Sequence, residues 1–338
     1  MNGLVRARLT AKACGWNAAV ALALAGCGSS RELPPSPEPA VAPRAAEKPA
    51  GRVVRVGPMP EGAVLDPVSG LLAVALRSPG GLALVDARSG RVVRRVRLPG
   101  AARHLQLERP GGPVLAPLED ADVLARVSLP QGRVIDTVRV RRQPHDATAT
   151  AGRIFVGDEL GDTVSVIAGG RVVRTLPAPV HPGGLAVPRP DRVGVVAVKE
   201  RKLALYDARG LRELHRVDAG VGPTHVVSDG RGRLFVVDTE GDAILVFRAG
   251  RKLELICRTN VAGRPYGIAI DVRRRRLWVT TTASNRLVEL ALRGDEPPLT
   301  VTSHPTVRQA NTVAVDPRDG RVFVTGRDRA LQIFQPAR

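Results

Sequence analysis

Six histidines occur in the 338 residues, and four of them, His104, His145, His181 and His225, fall at recurring places. These places lie just before short apolar runs, where two columns of residues can be read. The first is Glu61, Arg103, His145, Gly183, Thr224, Tyr266 and Asn311, and the second is Gly62, His104, Asp146, Gly184, His225, Gly267 and Thr312. Imidazole, carboxylate and amide groups that converge on one spot can hold a divalent cation. Glu61, His145 and Asn311 are the candidate metal ligands, and Arg103, His104, Asp146, His181, His225 and Tyr266 join them as candidate ligand-binding residues. Nearby acidic groups, Glu119-Asp120-Asp122, Asp158-Glu159-Asp162 and Asp238-Glu240-Asp242, read as solvated hairpin tips, because calcium needs six or more converging oxygens. There is no G-x-S-x-G elbow, H-E-x-x-H pair, phosphate-binding glycine loop or C-x-x-C pair.

The elements that position these columns come from a repeat. The apolar residues after them, Ala63, Leu105, Ala147, Leu185, Val226, Ile268 and Val313, are spaced by 42, 42, 38, 41, 42 and 45 residues. Each unit then carries a second apolar run ("LLAVAL", "GRIFVGD", "GRLFVVD"), a third ("GLALVDA", "KLALYDA") and, after a polar turn, a fourth ("RVVRRVRL", "RVVRTLPA"). Four strands in about 40 residues is the period of a propeller blade. Continuous apolar runs suit strands buried on both faces, and the arginine-alternating fourth run suits an outer edge that meets water. The expected fold is all-β: a seven-bladed β-propeller of four-stranded blades over residues 51–338. The first strand of each blade should line a central channel, with the two columns at one mouth. The last unit stops after three strands, at "RALQIFQPAR", and "GRVVRVGPMP" at 51–60 closes nothing before it. It supplies the missing outer strand and closes the ring.

The segment "GRIFVGDELGDTVSVIAGGRVVRTLPAPVHPGGLAV" (152–187) resembles the YVTN-repeat β-propellers, as do "WVTTTASNRLVEL", "FVTGRDRALQIF" and "GRPYGIAID". The likeness covers most of 51–338 and implies the propeller fold in a surface or secreted protein. Propeller lactonases hold a metal in the channel with Glu, Asn and Asp. Glu61 and Asn311 match in type, while no third Asp completes the set. The streptogramin-lyase propellers are a further comparison, without a match to their catalytic residues.

Composition narrows the partners. The net charge is +19, from 51 Lys+Arg against 32 Asp+Glu, and aromatics are 3%. Most of the positive residues are Arg, in a chain also rich in Ala, Gly, Pro and Val, which is the bias of a GC-rich genome. Basic runs interleaved with aromatics are missing, so nucleic acid is not an expected partner. Residues 1–26 combine Arg6, Arg8 and Lys12 with an apolar stretch too short to span a bilayer. That stretch ends in Leu24-Ala25-Gly26-Cys27, which resembles a bacterial lipobox and implies lipidation at Cys27. Residues 27–50 hold six Pro and read as an extended tether. Cys14 leaves with the signal, and Cys257 reads as a packed strand residue without a disulfide partner. The expectation is a monomeric, extracytoplasmic lipoprotein held on the membrane of the cell envelope. Its propeller would act as a binding or scaffolding module for a protein, glycan or small ligand. The alternatives are a metal-dependent hydrolase or lyase of lactonase type, and a binder of anionic polymers through its arginines. If Cys27 carries the lipid, Cys27→Ser should move the protein from the membrane to the soluble fraction on cell fractionation. Retention in the membrane would refute the anchor.

Overall fold

The computed structural model describes residues 32–326 and 328–337, so the signal and Cys27 lie outside the described residues. Seven antiparallel four-stranded sheets make up the fold. Six run in chain order, and the first of them comprises Pro60–Asp66, Leu71–Arg77, Gly80–Asp86 and Val92–Arg97. The seventh takes three strands from the C-terminus, Thr312–Val315, Val322–Gly326 and Ala330–Phe334, and its outer strand from Arg52–Arg55. The closing strand pairs antiparallel with the last one, Val54 opposite Leu331. Glu159–Gly161 forms a single 3₁₀ turn and is the one helical element among the described residues.

Alternation explains why the blades stack. Successive side chains of a strand point to opposite faces. In the second strand of blade 1, Leu71, Ala73 and Ala75 pack on blade 2, against Leu105, Val114 and Ala116. The intervening Leu72, Val74 and Leu76 pack on blade 7, against Phe323, Leu331 and Ile333. Seven such apolar clusters fill the seven gaps between blades. A strand buried on both faces must be apolar in both phases, which is why these runs show no alternation in the sequence. The outer strands do alternate, because one face meets water. Val96 is buried while Arg94, Arg95 and Arg97 are exposed.

Blade 2 is the irregular one. Its inner strand is reduced to Gln106–Leu107, with a lone bridge between Ala102 and Leu118. Arg273–Arg276 leads through a hairpin turn into the second strand of blade 6, where Arg274 bonds back to Asp271 and Arg276 pairs with Glu289. Cys257 is a half-buried free thiol on the outer strand Leu253–Asn260, as expected. The remaining two histidines lie between blades: His215 accepts from the Leu253 N–H, His304 packs on Phe334 at 4.4 Å, and both are half-buried. Leu331 is fully buried in the seam that the closing strand seals. Leu331→Ala should cost about 2–5 kcal/mol in chemical denaturation, and a loss below 1 kcal/mol would mean the seam does not hold the ring.

Candidate functional site

Inner strands of neighbouring blades touch around the axis, so residues at their starts meet at one mouth of the channel. Four rings form a row there. His104 lies 4.7 Å from His145 on one side and 4.7 Å from His225 on the other, and Tyr266 meets His225 edge-on at 4.4 Å. Burial, then the charge on His145, hold His104 well below its usual range. The same two causes, with Arg103, push His225 down to about 3. Both are neutral imidazoles, and together they form a septum across the channel.

His145 is different. Burial opposes its charge, but Nδ1 lies 3.1 Å from Glu119 Oε1 and 2.9 Å from Glu159 Oε2. These two carboxylates win and raise it to about 9. Glu119 is lowered to about 2 despite its burial, by His145 and by Arg103 and Arg77. The arginines sit 3.1 and 2.9 Å from its two oxygens. The result is an ion network in which every carboxylate faces a cation.

Along the inner strands the channel opens into a cavity of about 390 Å³, whose polar lining includes His104, His225, Gln106, Asp146, Ser228 and Asn311. Asp146 accepts from the N–H groups of Leu185 and Ala147 and from Gln106 Nε2. Burial outweighs those bonds and pushes its carboxyl up to about 6. Asn311 Nδ2 donates to Glu61 Oε1 at 3.2 Å, joining two adjacent blades across the ring closure.

The mouth is covered. Residues 36–50 read as part of a free tether, yet here they lie along the propeller without regular secondary structure. Ser36 bonds His181 beside blade 4 at 2.9 Å. Ala40 gives its N–H to Thr282 and takes a bond from Gln309 on its carbonyl. Ala42 gives its N–H to Gln309 and accepts from Arg308. Asn285 donates to the Pro43 carbonyl. The arm therefore crosses from the blade 6–7 side to blade 4, held mainly by its backbone, with Pro37 and Ala42 buried. Prolines fix an extended chain and present few N–H groups, so four buried or half-buried side chains satisfy it.

The clamp was missed in the sequence, although a signal exists. In blades 2 to 7 the residue before the third strand sits in the left-handed region, and in blades 2, 3 and 5 it is Asp122, Asp162 or Asp242. Each carboxylate accepts the N–H of the loop leading into the next blade, at Gln143, His181 and Arg264. Blade 6 has Asn285 at this place, and its amide turns to the arm instead. Glu119 and Glu159 are visible in the sequence as acidic tips, but not as partners of His145.

Among the described residues one cluster has three close metal-type donors: Glu119, His145 and Glu159, with ligand atoms within 4.8 Å. Its groups are already engaged with one another: two guanidinium groups hold Glu119, and Nδ1 of His145 lies between the two carboxylates. Of the three expected metal ligands, Glu61 and Asn311 are bonded to each other and His145 is engaged by this network.

No family model and no curated protein matches the sequence. Solved structures with the same architecture are numerous. The chain is similar to the Kuenenia stuttgartiensis hydrazine synthase, with TM-score 0.72 and 14% identity over 83% of this chain and 96% of that one. It is similar to the streptogramin B lyase structure, with TM-score 0.71 and 12% identity over 84% and 98%. A third likeness is the Myceliophteria thermophila Cps50 (Swd1) β-propeller domain, with TM-score 0.71 and 14% identity over 85% and 98%. At these identities the likeness establishes the fold: a seven-bladed β-propeller.

The ion network makes stability depend on pH. His145 stays charged to about pH 9 when folded and to about 6.5 when unfolded. Its contribution is complete below about pH 6.5 and is lost as pH rises through 9. His145→Gln should therefore destabilise the protein at pH 6 by about 2–3 kcal/mol, with the gap closing by pH 10 in denaturation curves. A gap independent of pH would show that His145 is neutral.

Proposed function

We propose that the chain is a non-catalytic binding module: a YVTN-type propeller lipoprotein, anchored outside the cytoplasm through Cys27, whose working face is the strapped channel mouth. One observation carries this reading. The charged side chains at the mouth are committed to one another, and His181 to the arm. His145 is a cation between two carboxylates, Glu61 accepts from Asn311, and His181 holds Ser36. His145 therefore has no free lone pair to act as a general base, and the neutral His104 and His225 lie against each other with no carboxylate bonded to either ring to orient it as a base. A protein, glycan or small ligand would bind by displacing the arm from the mouth or by entering the cavity from the opposite face.

The test is a metal titration. Purified protein treated with chelator should keep its melting temperature, and added Mg²⁺, Mn²⁺ or Zn²⁺ should shift it by less than about 1 °C, since a resident ion at 100 times its Kd would add about 2.7 kcal/mol. A clear stabilisation that His145→Gln abolishes would return the site to the metal-dependent enzymes.

A further inference from the structure

The seven outer edges are not alike. The four adjacent edges at Arg52–Arg55, Val92–Arg97, Val134–Arg139 and Arg171–Pro177 carry eight arginines and one carboxylate, Asp136. The remaining three, at Arg212–Asp218, Leu253–Asn260 and Glu296–Pro305, carry three arginines and four carboxylates. The first group sums to +7 (8 − 1) and the second to −1 (3 − 4). All eight arginines of the first group are exposed. Among the described residues, none of them lies within 4.0 Å of a carboxylate. Asp136 is taken by Arg126 from the neighbouring strand. On the other side every edge carboxylate has a basic partner, as in Lys202–Asp218, Arg216–Glu213, Arg248–Glu254 and Arg293–Glu296.

A genomic bias toward arginine would enrich all seven edges alike and would not remove the acids from four neighbours. We propose that the flank formed by the closing strand and blades 1–3 binds a flexible acidic polysaccharide. Fixed positive charge without carboxylate partners attracts a polyanion and gains by counterion release. Curvature chooses the occupant. Four adjacent edges of seven bend round the ring, so a flat bilayer touches only part of the arc while a flexible chain follows it. Surface chemistry chooses again. The large apolar side chains exposed on these edges are Val53, Val93, Val134, Ile135 and Val173, and no aromatic is exposed among the described residues. Single-stranded nucleic acid binders rely on aromatic stacking platforms, which this flank lacks, whereas uronate or sulfate groups need only the guanidinium forks.

The probe is labelled polygalacturonate, titrated by anisotropy against full-length chain carrying Cys27→Ser. Affinity should fall about tenfold or more between 50 and 200 mM salt. Replacing Arg94, Arg95 and Arg97 by Gln should weaken binding at 50 mM salt about tenfold and flatten the salt slope. Replacing Arg209, Arg212 and Arg258 by Gln removes the same charge from the opposite side and should change affinity less than about twofold. Equal losses from the two triple variants would overturn the localisation. Tighter binding to oligodeoxythymidylate, or to vesicles containing phosphatidylglycerol, would overturn the polysaccharide. An unchanged melting temperature in the variants shows that the ring is intact.

Discussion

Ring closure is the constraint on which the rest depends. The C-terminal blade is one strand short, and its neighbours bury Phe323, Leu331 and Ile333 only if a fourth strand covers them. Arg52–Arg55 does so, pairing four residues with Ala330–Ile333, and Val56 completes the seam with no exposure. Pairing the two chain ends also means that the ring opens only when both let go together. The same closure fixes where the preceding residues go. They leave the edge between blades 6 and 7, where the Ala50 N–H bonds the Pro305 carbonyl, and the mouth lies directly in their path. The strap over the channel follows from how the circle is completed.

Electrostatics at the mouth follow from crowding inside that circle. Seven inner strands bring their first residues together, so any titratable group there is buried against others from different blades. A buried charge must be paired. Glu119, Glu159, His145, Arg77 and Arg103 solve this as a network, His104 and His225 solve it by staying neutral, and Asp146 solves it with backbone N–H groups. Three solutions within one channel leave the mouth polar, with its charged groups paired.

The blades were legible because their signal is repeated. A period near 40 with four apolar runs needs no knowledge of which residue meets which, and the shortfall in the last unit exposes the closing strand. Glu61 meeting Asn311 was legible for the same reason, since both occupy one column on blades that closure makes adjacent. The pairing of His145 with Glu119 and Glu159 was not. It joins a column residue to loops of its own and the preceding blade, and loop geometry at that scale is set by left-handed residues such as Asp122 and Asp162 rather than by pattern. The arm was hidden by composition. Six prolines and no aromatic say that a segment builds no core, which holds, but they do not say that its carbonyls lack partners.

The arm and the closing strand adjoin in sequence yet are held by different physics. Residues 52–56 are fixed by ladder pairing and by apolar burial against two blades. Residues 36–43 are fixed by hydrogen bonds with Thr282, Asn285, Arg308 and Gln309, and only Pro37 and Ala42 among them are buried. Net hydrogen bonds of this kind contribute about 1 kcal/mol each, whereas sealing a core seam contributes several times that. A proline-rich segment also loses little entropy on docking, because its unbound form is already extended. The two parts are thus energetically separable: the mouth can be uncovered while the ring stays shut. That separation follows from making the same N-terminal segment both the last strand of the ring and the cover of its mouth.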